Sequence, residues 1–179
     1  MEQPTLEQLQ YPIGKFVCPE TITKQHLDSW MHRLETLPER LSELLIDVTP
    51  KQLKTAYRPG GWSVQEVIHH IADSHHHSYT RFKWALTEDN PLIKVYDENS
   101  WNALSETSHA PVAISLAYIK ALHVKLVYTL RSCSLNDFQR TFVHPEGNTV
   151  VQLAWNVGNY AWHGDHHLAH IELALAQHK

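Results

Sequence analysis

Cysteine is scarce in this chain, and the scarcity excludes a disulfide framework. The 179 residues include only Cys18 and Cys133, far apart and outside any CxxC pairing. Domains that are stabilised by several disulfides carry more cysteines at closer spacing, and they occur in oxidising compartments. The N-terminal stretch MEQPTLEQLQYPIG also lacks the apolar segment of a secretory signal. We therefore expect a cytoplasmic protein.

Long basic runs and long apolar runs are missing as well. The formal net charge is -4 and no Lys/Arg block occurs, which argues against nucleic acid as a partner. No apolar run approaches the length that spans a bilayer, so we expect no membrane association. With 42% hydrophobic residues, the chain can nevertheless bury a substantial core.

Strand signals are weak, whereas four segments have strong helical periodicity. The first runs from Thr23 to Val48, where Pro38 can kink or break it. The second follows GGW with a capping-box pattern at Ser63 and Glu66, and the third starts near Pro111. The fourth follows EGN and continues to the C-terminus. RTFVHPEGNTVVQL is either a small hairpin or a loop. We predict an all-α four-helix bundle.

The connection between the second and third helices is long, about twenty residues. A link of this length lets consecutive helices lie parallel by crossing over the bundle. Long loops often lie over functional sites, so Tyr96, Asp97 and Trp101 are candidates for a pocket wall. A short extra helix that merely packs on the bundle is the alternative. We predict a single domain over residues 1–179, with residues 1–22 as an N-terminal extension packed on the bundle.

Histidine, in contrast, is abundant, with 15 residues that concentrate near the second and fourth helices. Each residue of a helix advances about 100°. His163 and His167 then border the apolar face of the fourth helix, whereas His166 and His170 point towards solvent. Asp165 projects away from the apolar face and is expected to be solvated. An i,i+4 pair lets two imidazoles converge on one ion, so we predict a metal site at 163 and 167.

A metal site needs at least one more ligand, and the second helix offers several in VIHHIADSHHHSY. His75 lies nearest the centre of the apolar face and His70 lies at its edge. His69, His76 and His77 are expected to point outward. Periodicity alone does not choose between His70 and His75, and any single histidine here can be a hydrogen-bonded structural group instead.

Four stretches together resemble one known family. GGWSVQEVIHHIADSHHHSYTRFKWALTEDNP, YDENSW, YAWHGDHHLAHI and the N-terminal YPIGKF are similar to the YfiT branch of the DinB-like metalloprotein superfamily. The resemblance implies an up-down-down-up four-helix bundle, often dimeric. It also implies that the metal ligands are His70, His163 and His167, which selects His70 and leaves the role of His75 open.

The same resemblance implies an enzyme. Members of the branch are proposed metal-dependent hydrolases, and relatives are thiol transferases that attach bacillithiol to electrophiles. Three neutral imidazoles leave a divalent ion with an open position, and they suit Zn²⁺ or Ni²⁺. A thiolate bound at that position can attack an electrophile, and a bound hydroxide can hydrolyse a substrate.

The ligands do not choose between these reactions. We expect transfer of a small-molecule thiol to a small electrophile. Hydrolysis is the first alternative, and a non-catalytic metal- or ligand-binding bundle is the second.

Other candidate residues surround the expected ligands. Asp73, one turn beyond His70, can hydrogen-bond the free ring nitrogen of a ligand or form a surface salt bridge. Arg81 and Lys83 can attract a carboxylate-bearing thiol, although single cations on a helix are usually solvated. Trp162 is the tryptophan best placed to line a pocket. Neither cysteine has the sequence context of a nucleophile.

Overall fold

Among the residues that the structure describes, four of the eight α-helices are long, and these four form the bundle. The computed structural model describes residues 4–178. Its elements in chain order are α1 (Leu6–Gln10), α2 (Lys24–Leu44), α3 (Pro50–Leu53), α4 (Val64–Thr87), α5 (Glu98–Asn102), α6 (Ser105–His109), α7 (Val112–Arg131), β1 (Thr141–His144), β2 (Thr149–Gln152) and α8 (Leu153–Ala176). The bundle consists of α2, α4, α7 and α8, which confirms the predicted fold class.

Local sequence signals account for the helix boundaries. The Ser63 hydroxyl accepts from the Glu66 N–H, and the Glu66 carboxylate accepts from the Ser63 N–H, which is the capping box expected from the sequence. Pro111 directly precedes α7. Pro38 neither ends nor divides α2, which continues to Leu44. Because proline has no N–H, however, the carbonyl of Leu34 loses its usual helical donor.

α2 and α8 run in the same direction. Trp30 packs against Gly158, and Leu37, two turns further along α2, packs against Gly164. A Cβ atom at position 164 would lie 2.7 Å from a methyl group of Leu37. Glycine at this position therefore lets the two helices approach closely beside His163.

α4 runs parallel to α7 and antiparallel to α8. The contacts that establish these directions are His69–Ser115 and His75–His123 for the parallel pair, and His70–His163 and Ser78–Asn156 for the antiparallel pair. The order is therefore up-down-down-up, as predicted. The connection that makes α4 and α7 parallel spans residues 88–111 and contains α5 and α6.

The bundle interior has two hydrophobic clusters with a polar layer between them. One cluster contains Leu27, Leu34, Phe82, Leu126, Leu130 and Val157, and the other contains Leu37, Leu41, Ile68, Ile71, Ile119 and Ile171. The level between them holds buried polar residues, among them Ser74, His75, His123 and His167. His75, His123 and His167, from three different helices, thus lie at one level of the bundle.

The structure decides one open alternative and changes one expectation. RTFVHPEGNTVVQL forms an antiparallel hairpin rather than a loop, with Phe142 opposite Val151. The expectation that no apolar run is long enough to cross a membrane is wrong for α7, which meets that test by length and composition. This is weak evidence for a membrane span, because a core helix passes the same test. Ile119, Leu126 and Leu130 of α7 are buried in the bundle.

Candidate metal centre

Three histidines meet at one end of the polar layer. His70 comes from α4, and His163 and His167 come from α8, where they are one turn apart. The Nε2 atom of His163 lies 3.3 Å from Nε2 of His70 and 3.2 Å from Nε2 of His167. One candidate ligand atom from each residue lies within 4.8 Å of the others. We call these residues the three-histidine cluster.

The spacing of these nitrogens suits a tetrahedral metal ion. Zinc–imidazole bonds are about 2.0–2.1 Å long, so two nitrogens at a tetrahedral angle lie about 3.3–3.4 Å apart. The two distances at His163 are close to that value. The cluster comprises three residues, and no fourth His, Cys, Asp or Glu joins it among residues 4–178. A donor set of three imidazoles therefore leaves room for a further, non-protein ligand.

Burial keeps the cluster neutral. Burial, and then the neighbouring His170, lowers the pKa of His70 to about 4. Burial, followed by the other cluster histidines, holds the pKa of both His163 and His167 well below the usual value. An imidazole must be unprotonated at the nitrogen that binds a metal ion. The cluster is therefore in the protonation state that metal binding requires at neutral pH.

A chain of imidazoles extends from His163 into the core. Nδ1 of His163 lies 3.1 Å from Nε2 of His75, and Nδ1 of His75 lies 3.0 Å from Nε2 of His123. Nδ1 of His123 donates to the Leu34 carbonyl at 2.6 Å. His75 is fully buried, and His123 is 1% exposed. Sequence analysis left the role of His75 open and did not single out His123.

A shorter chain extends from His167 towards the N-terminal segment. Nδ1 of His167 lies 3.4 Å from Nδ1 of His170, and Nε2 of His170 donates to the carbonyl of Gln10 at 3.1 Å. The ring of Tyr57 stacks on His170 at 3.9 Å. His70 has no such chain behind it. Within the described part of the protein, the hydrogen-bond contact of its ring is to His163, inside the cluster.

The cluster opens into a cleft with a volume of about 360 Å³. All three cluster residues line it, together with His166, His170 and residues of the N-terminal segment, the Tyr57–Trp62 loop and α5. Trp162 lines the cleft, as expected, and its indole N–H donates to the carbonyl of Gly14. Trp62 packs on His70 with ring centres 4.6 Å apart. Arg58 is the only lysine or arginine among the described lining residues, and its Nε is buried without a hydrogen-bond partner.

The expected orientation of several α8 side chains is wrong. His166 and His170 were expected to face solvent, yet both are buried, because the N-terminal segment and Tyr57 cover that face of the helix. Asp165 was expected to be solvated, but it forms ion pairs with Arg33 and Arg40 of α2. Helical periodicity predicts only which face of a helix packs on the apolar core. It does not predict contacts that other segments of the chain make with the opposite face.

The α4 histidines follow the expectation only in part. His69 was expected to point outward, but it is buried and contacts Ser115 of α7. His76 is exposed as expected, and His77 is half-buried beneath a stacked Tyr96 ring. The reason is again a neighbouring element, since α7 and the segment before α5 cover positions that face away from α8.

Other candidate residues lie away from the cluster. Asp73 is half-buried and makes no hydrogen bond to a cluster histidine; burial and then Glu106 raise its pKa. Arg81 is buried beside the hydroxyl of Tyr160, and Lys83 is exposed; neither lines the cleft.

The expected pocket wall is shifted along the chain. Tyr96 and Trp101 pack on His77, whereas Glu98 and Asn99, between them in sequence, line the cleft. Burial raises the pKa of both cysteines, so neither thiol is activated.

The fold and the cluster together define a class, a four-helix bundle with a candidate three-histidine metal site between two of its helices. The model of the DinB superfamily matches residues 33–171, and the chain belongs to that superfamily.

Named relatives are similar over nearly the whole chain. A Bacillus cereus (strain ATCC 10987) protein named "Putative metal-dependent hydrolase" is 48% identical over 93% of this chain and 95% of its own length. A protein of that name from Oceanobacillus iheyensis is 48% identical over 90% of this chain and 93% of its own.

A solved structure agrees with the fold. The structure of YfiT from Bacillus subtilis is described as a probable metal-dependent hydrolase with an unusual four-helix bundle topology. It superposes with a TM-score of 0.92 at 41% identity and covers 96% of this chain and 98% of its own. The names of these relatives and the shared fold support a metal-dependent enzyme.

Proposed function

We propose that the protein is a metal-dependent transferase that joins a low-molecular-weight thiol to small electrophiles. The observation that carries the proposal is the set of three neutral imidazoles that line one cleft, with Nε2 spacings suited to zinc. Nickel is the alternative metal for the same donors. His70, His163 and His167 are the proposed ligands.

A divalent ion held by these imidazoles would supply an open position at which a thiol loses its proton near neutral pH. The residues of the chain bind and orient the two substrates. Arg58 is the lining cation with a free buried donor, so we assign it to the carboxylate of the thiol substrate. Trp62 and Trp162 supply flat apolar walls for the electrophile.

The proposed transfer needs no oxidant or reductant. With an alkyl chloride, a bond forms between the thiol sulfur and carbon, and the carbon–chlorine bond breaks. Chloride leaves with the bonding electron pair, and the thiol proton goes to solvent. With an epoxide, the carbon–oxygen bond breaks instead, and the released alkoxide takes up the proton.

The test measures conjugation by zinc-loaded and nickel-loaded protein. Bacillithiol, glutathione and cysteine are each offered with monochlorobimane, and the fluorescent S-conjugate is quantified. We expect turnover with at least one thiol, loss of turnover in His163→Ala, and a raised KM for the thiol in Arg58→Gln. Unchanged turnover in His163→Ala would contradict the mechanism. His32→Ala, an exposed histidine of α2, is the matched control.

Hydrolysis by the same cleft is the second candidate, and the names of the relatives favour it. The two reactions differ in the atom that reaches the product. A panel of esters and amides in ¹⁸O-labelled water distinguishes them, because label in the product together with no S-conjugate would favour hydrolysis.

The third candidate, a non-catalytic metal-binding bundle, requires a closed coordination sphere. The three-residue donor set supports an open one. A fourth protein ligand in metal-loaded crystals would favour the non-catalytic alternative. The homodimer and the cytoplasmic location stay predictions, and sedimentation of the purified protein tests the former.

A further inference from the structure

We propose that His75 and His123 are positioning residues that hold His163 in the tautomer whose bare Nε2 faces the cluster. They do so through a chain of hydrogen bonds that ends at the carbonyl of Leu34. The inference rests on the proposed function only in taking His163 as a ligand. It assigns a role to two buried histidines that otherwise have none.

The direction of the chain follows from its far end. A carbonyl oxygen only accepts hydrogen bonds, so Nδ1 of His123, at 2.6 Å from the Leu34 oxygen, must be the donor. A neutral His123 then has a bare Nε2, so Nδ1 of His75 must donate to it at 3.0 Å. A neutral imidazole is a donor at one nitrogen and an acceptor at the other.

The next hydrogen bond of the chain reaches the cluster. With its proton on Nδ1, His75 has a bare Nε2 and accepts from Nδ1 of His163 at 3.1 Å. His163 then has no proton on Nε2, the atom that faces both His70 and His167. The carbonyl on α2 therefore decides which nitrogen of His163 offers a lone pair to a metal ion.

Pro38 explains why this carbonyl is free. In a regular helix the Leu34 oxygen would accept from the N–H of residue 38, but proline has no N–H. The ring nitrogen of His123 takes the position of the missing donor. Pro38 thus removes the backbone donor that would otherwise share the acceptor on which the chain ends.

Packing prevents the chain from rearranging. His75 is fully buried and His123 is 1% exposed, so solvent does not offer either ring an alternative partner. The ring centres of His75 and His123 lie 4.9 Å apart, and the ring of Tyr160 lies 5.2 Å from His75 in a perpendicular orientation. Both residues lie between the two hydrophobic clusters, where an unpaired ring nitrogen would carry the full cost of desolvation.

Substitutions at position 75 separate hydrogen bonding from packing. Glutamine keeps an oxygen acceptor towards His163 and an amide donor towards His123, whereas leucine removes both. Loss of an outer partner of a metal-bound histidine typically costs about 10- to 100-fold in metal affinity. We expect a loss of that size in zinc affinity for His75→Leu and a loss within about threefold for His75→Gln.

Zinc affinity is measured by competition with a chromophoric chelator. The matched control is His69→Leu, which removes a buried histidine of the same helix whose nitrogens contact Ser115 and Ala110 rather than the cluster. We expect its zinc affinity to equal that of the wild type. Equal affinities for His75→Leu and wild type, or equal losses for leucine and glutamine at position 75, would overturn the proposal.

A second measurement uses the wild-type protein without a metal ion, so it does not depend on whether a variant folds. Long-range ¹H–¹⁵N correlation spectra of the metal-free wild type report which ring nitrogen carries the proton. We expect Nδ1–H for His163, His75 and His123. A proton on Nε2 of His163 would overturn the proposal even if zinc binds. Absence of zinc binding by the wild type would instead contradict the proposed function, while the spectra would still test the chain.

Discussion

The two proposed α8 ligands, His163 and His167, are supported in different parts of the molecule. The chain behind His163 runs through His75 and His123 into the bundle core and ends on α2. The chain behind His167 passes through His170 alone and ends on the carbonyl of Gln10, in the N-terminal segment. One ligand is thus held by long packed helices, and the other by a segment that also forms the rim of the cleft.

The two chains therefore differ in their surroundings: one lies in the packed core and the other beside the open cleft. The core chain holds one proposed ligand, His163, through His75 and His123, which are buried, so no solvent competes for the hydrogen bond between these two rings. The rim chain fixes the other where substrates must enter, and Tyr57 and Gln10 line the cleft itself. We infer that the geometry of the site depends more on His75 than on His170.

Loss of a ligand is expected to have the largest effect. His163→Ala should lower zinc affinity by more than about 100-fold, the upper end of the range for loss of an outer partner. His167→Ala should do the same, because each removes one of three donors. Chelator competition measures both. An affinity within tenfold of the wild type for either variant would exclude that residue as a ligand.

The comparison of the two chains is tested by His75→Leu and His170→Leu. We expect the first to lose about 10- to 100-fold in zinc affinity and the second about tenfold or less, because His170 lines the cleft, where water can take over its hydrogen bond to His167. The reverse order would show that the N-terminal segment, rather than the core, holds the site together.

A smaller effect concerns pH. Burial, partly opposed by the hydrogen bond to Leu34, lowers the pKa of His123 to about 4; Glu39 raises it slightly and Arg40 lowers it slightly. Its pKa is lower in the folded than in the unfolded chain, so its contribution to stability is complete above about pH 6.5 and declines as the pH falls towards 4.

The measurement is urea unfolding of metal-free protein across that range. Without His123, one fewer proton is taken up when the protein unfolds. As the pH falls, the unfolding free energy of His123→Gln should therefore decrease less steeply than that of the wild type, by at most about 1.4 kcal/mol per pH unit. Parallel curves for variant and wild type would mean that His123 is protonated in the folded protein, or that its ring is accessible to solvent.

The smallest effect is expected from Pro38→Ala. Alanine restores an N–H that competes with His123 for the Leu34 carbonyl, although an oxygen with two lone pairs can accept from both. We expect zinc affinity to fall by about threefold, less than the loss of one hydrogen bond would cause. A loss as large as that of His75→Leu would mean that Pro38 acts through the shape of α2 instead.

Much of the framework could be predicted from sequence, because it depends on local signals. The capping box at Ser63 and the i,i+4 pair at 163 and 167 are both readable along one helix. The length of the link after α4 indicated the parallel arrangement of α4 and α7. The choice of His70 over His75 came only from the family resemblance, because periodicity ranks them level.

The two supporting chains could not be predicted, for a physical reason. His123 is a single histidine on α7, and only the three-dimensional packing brings it against His75 and Leu34. His170 was assigned to solvent, because nothing in the fourth helix signals that Gln10 and Tyr57 will cover it. A proline four residues after a carbonyl is the one local signal that could have indicated a free acceptor on α2.

X-ray absorption at the zinc edge, on protein loaded with one equivalent of zinc, tests the central claim most directly. The account predicts three imidazole nitrogens at about 2.0–2.1 Å and one further light ligand that a thiol replaces with sulfur at about 2.3 Å. A shell of four protein ligands, or a zinc spectrum that is unchanged in His163→Ala, would contradict it.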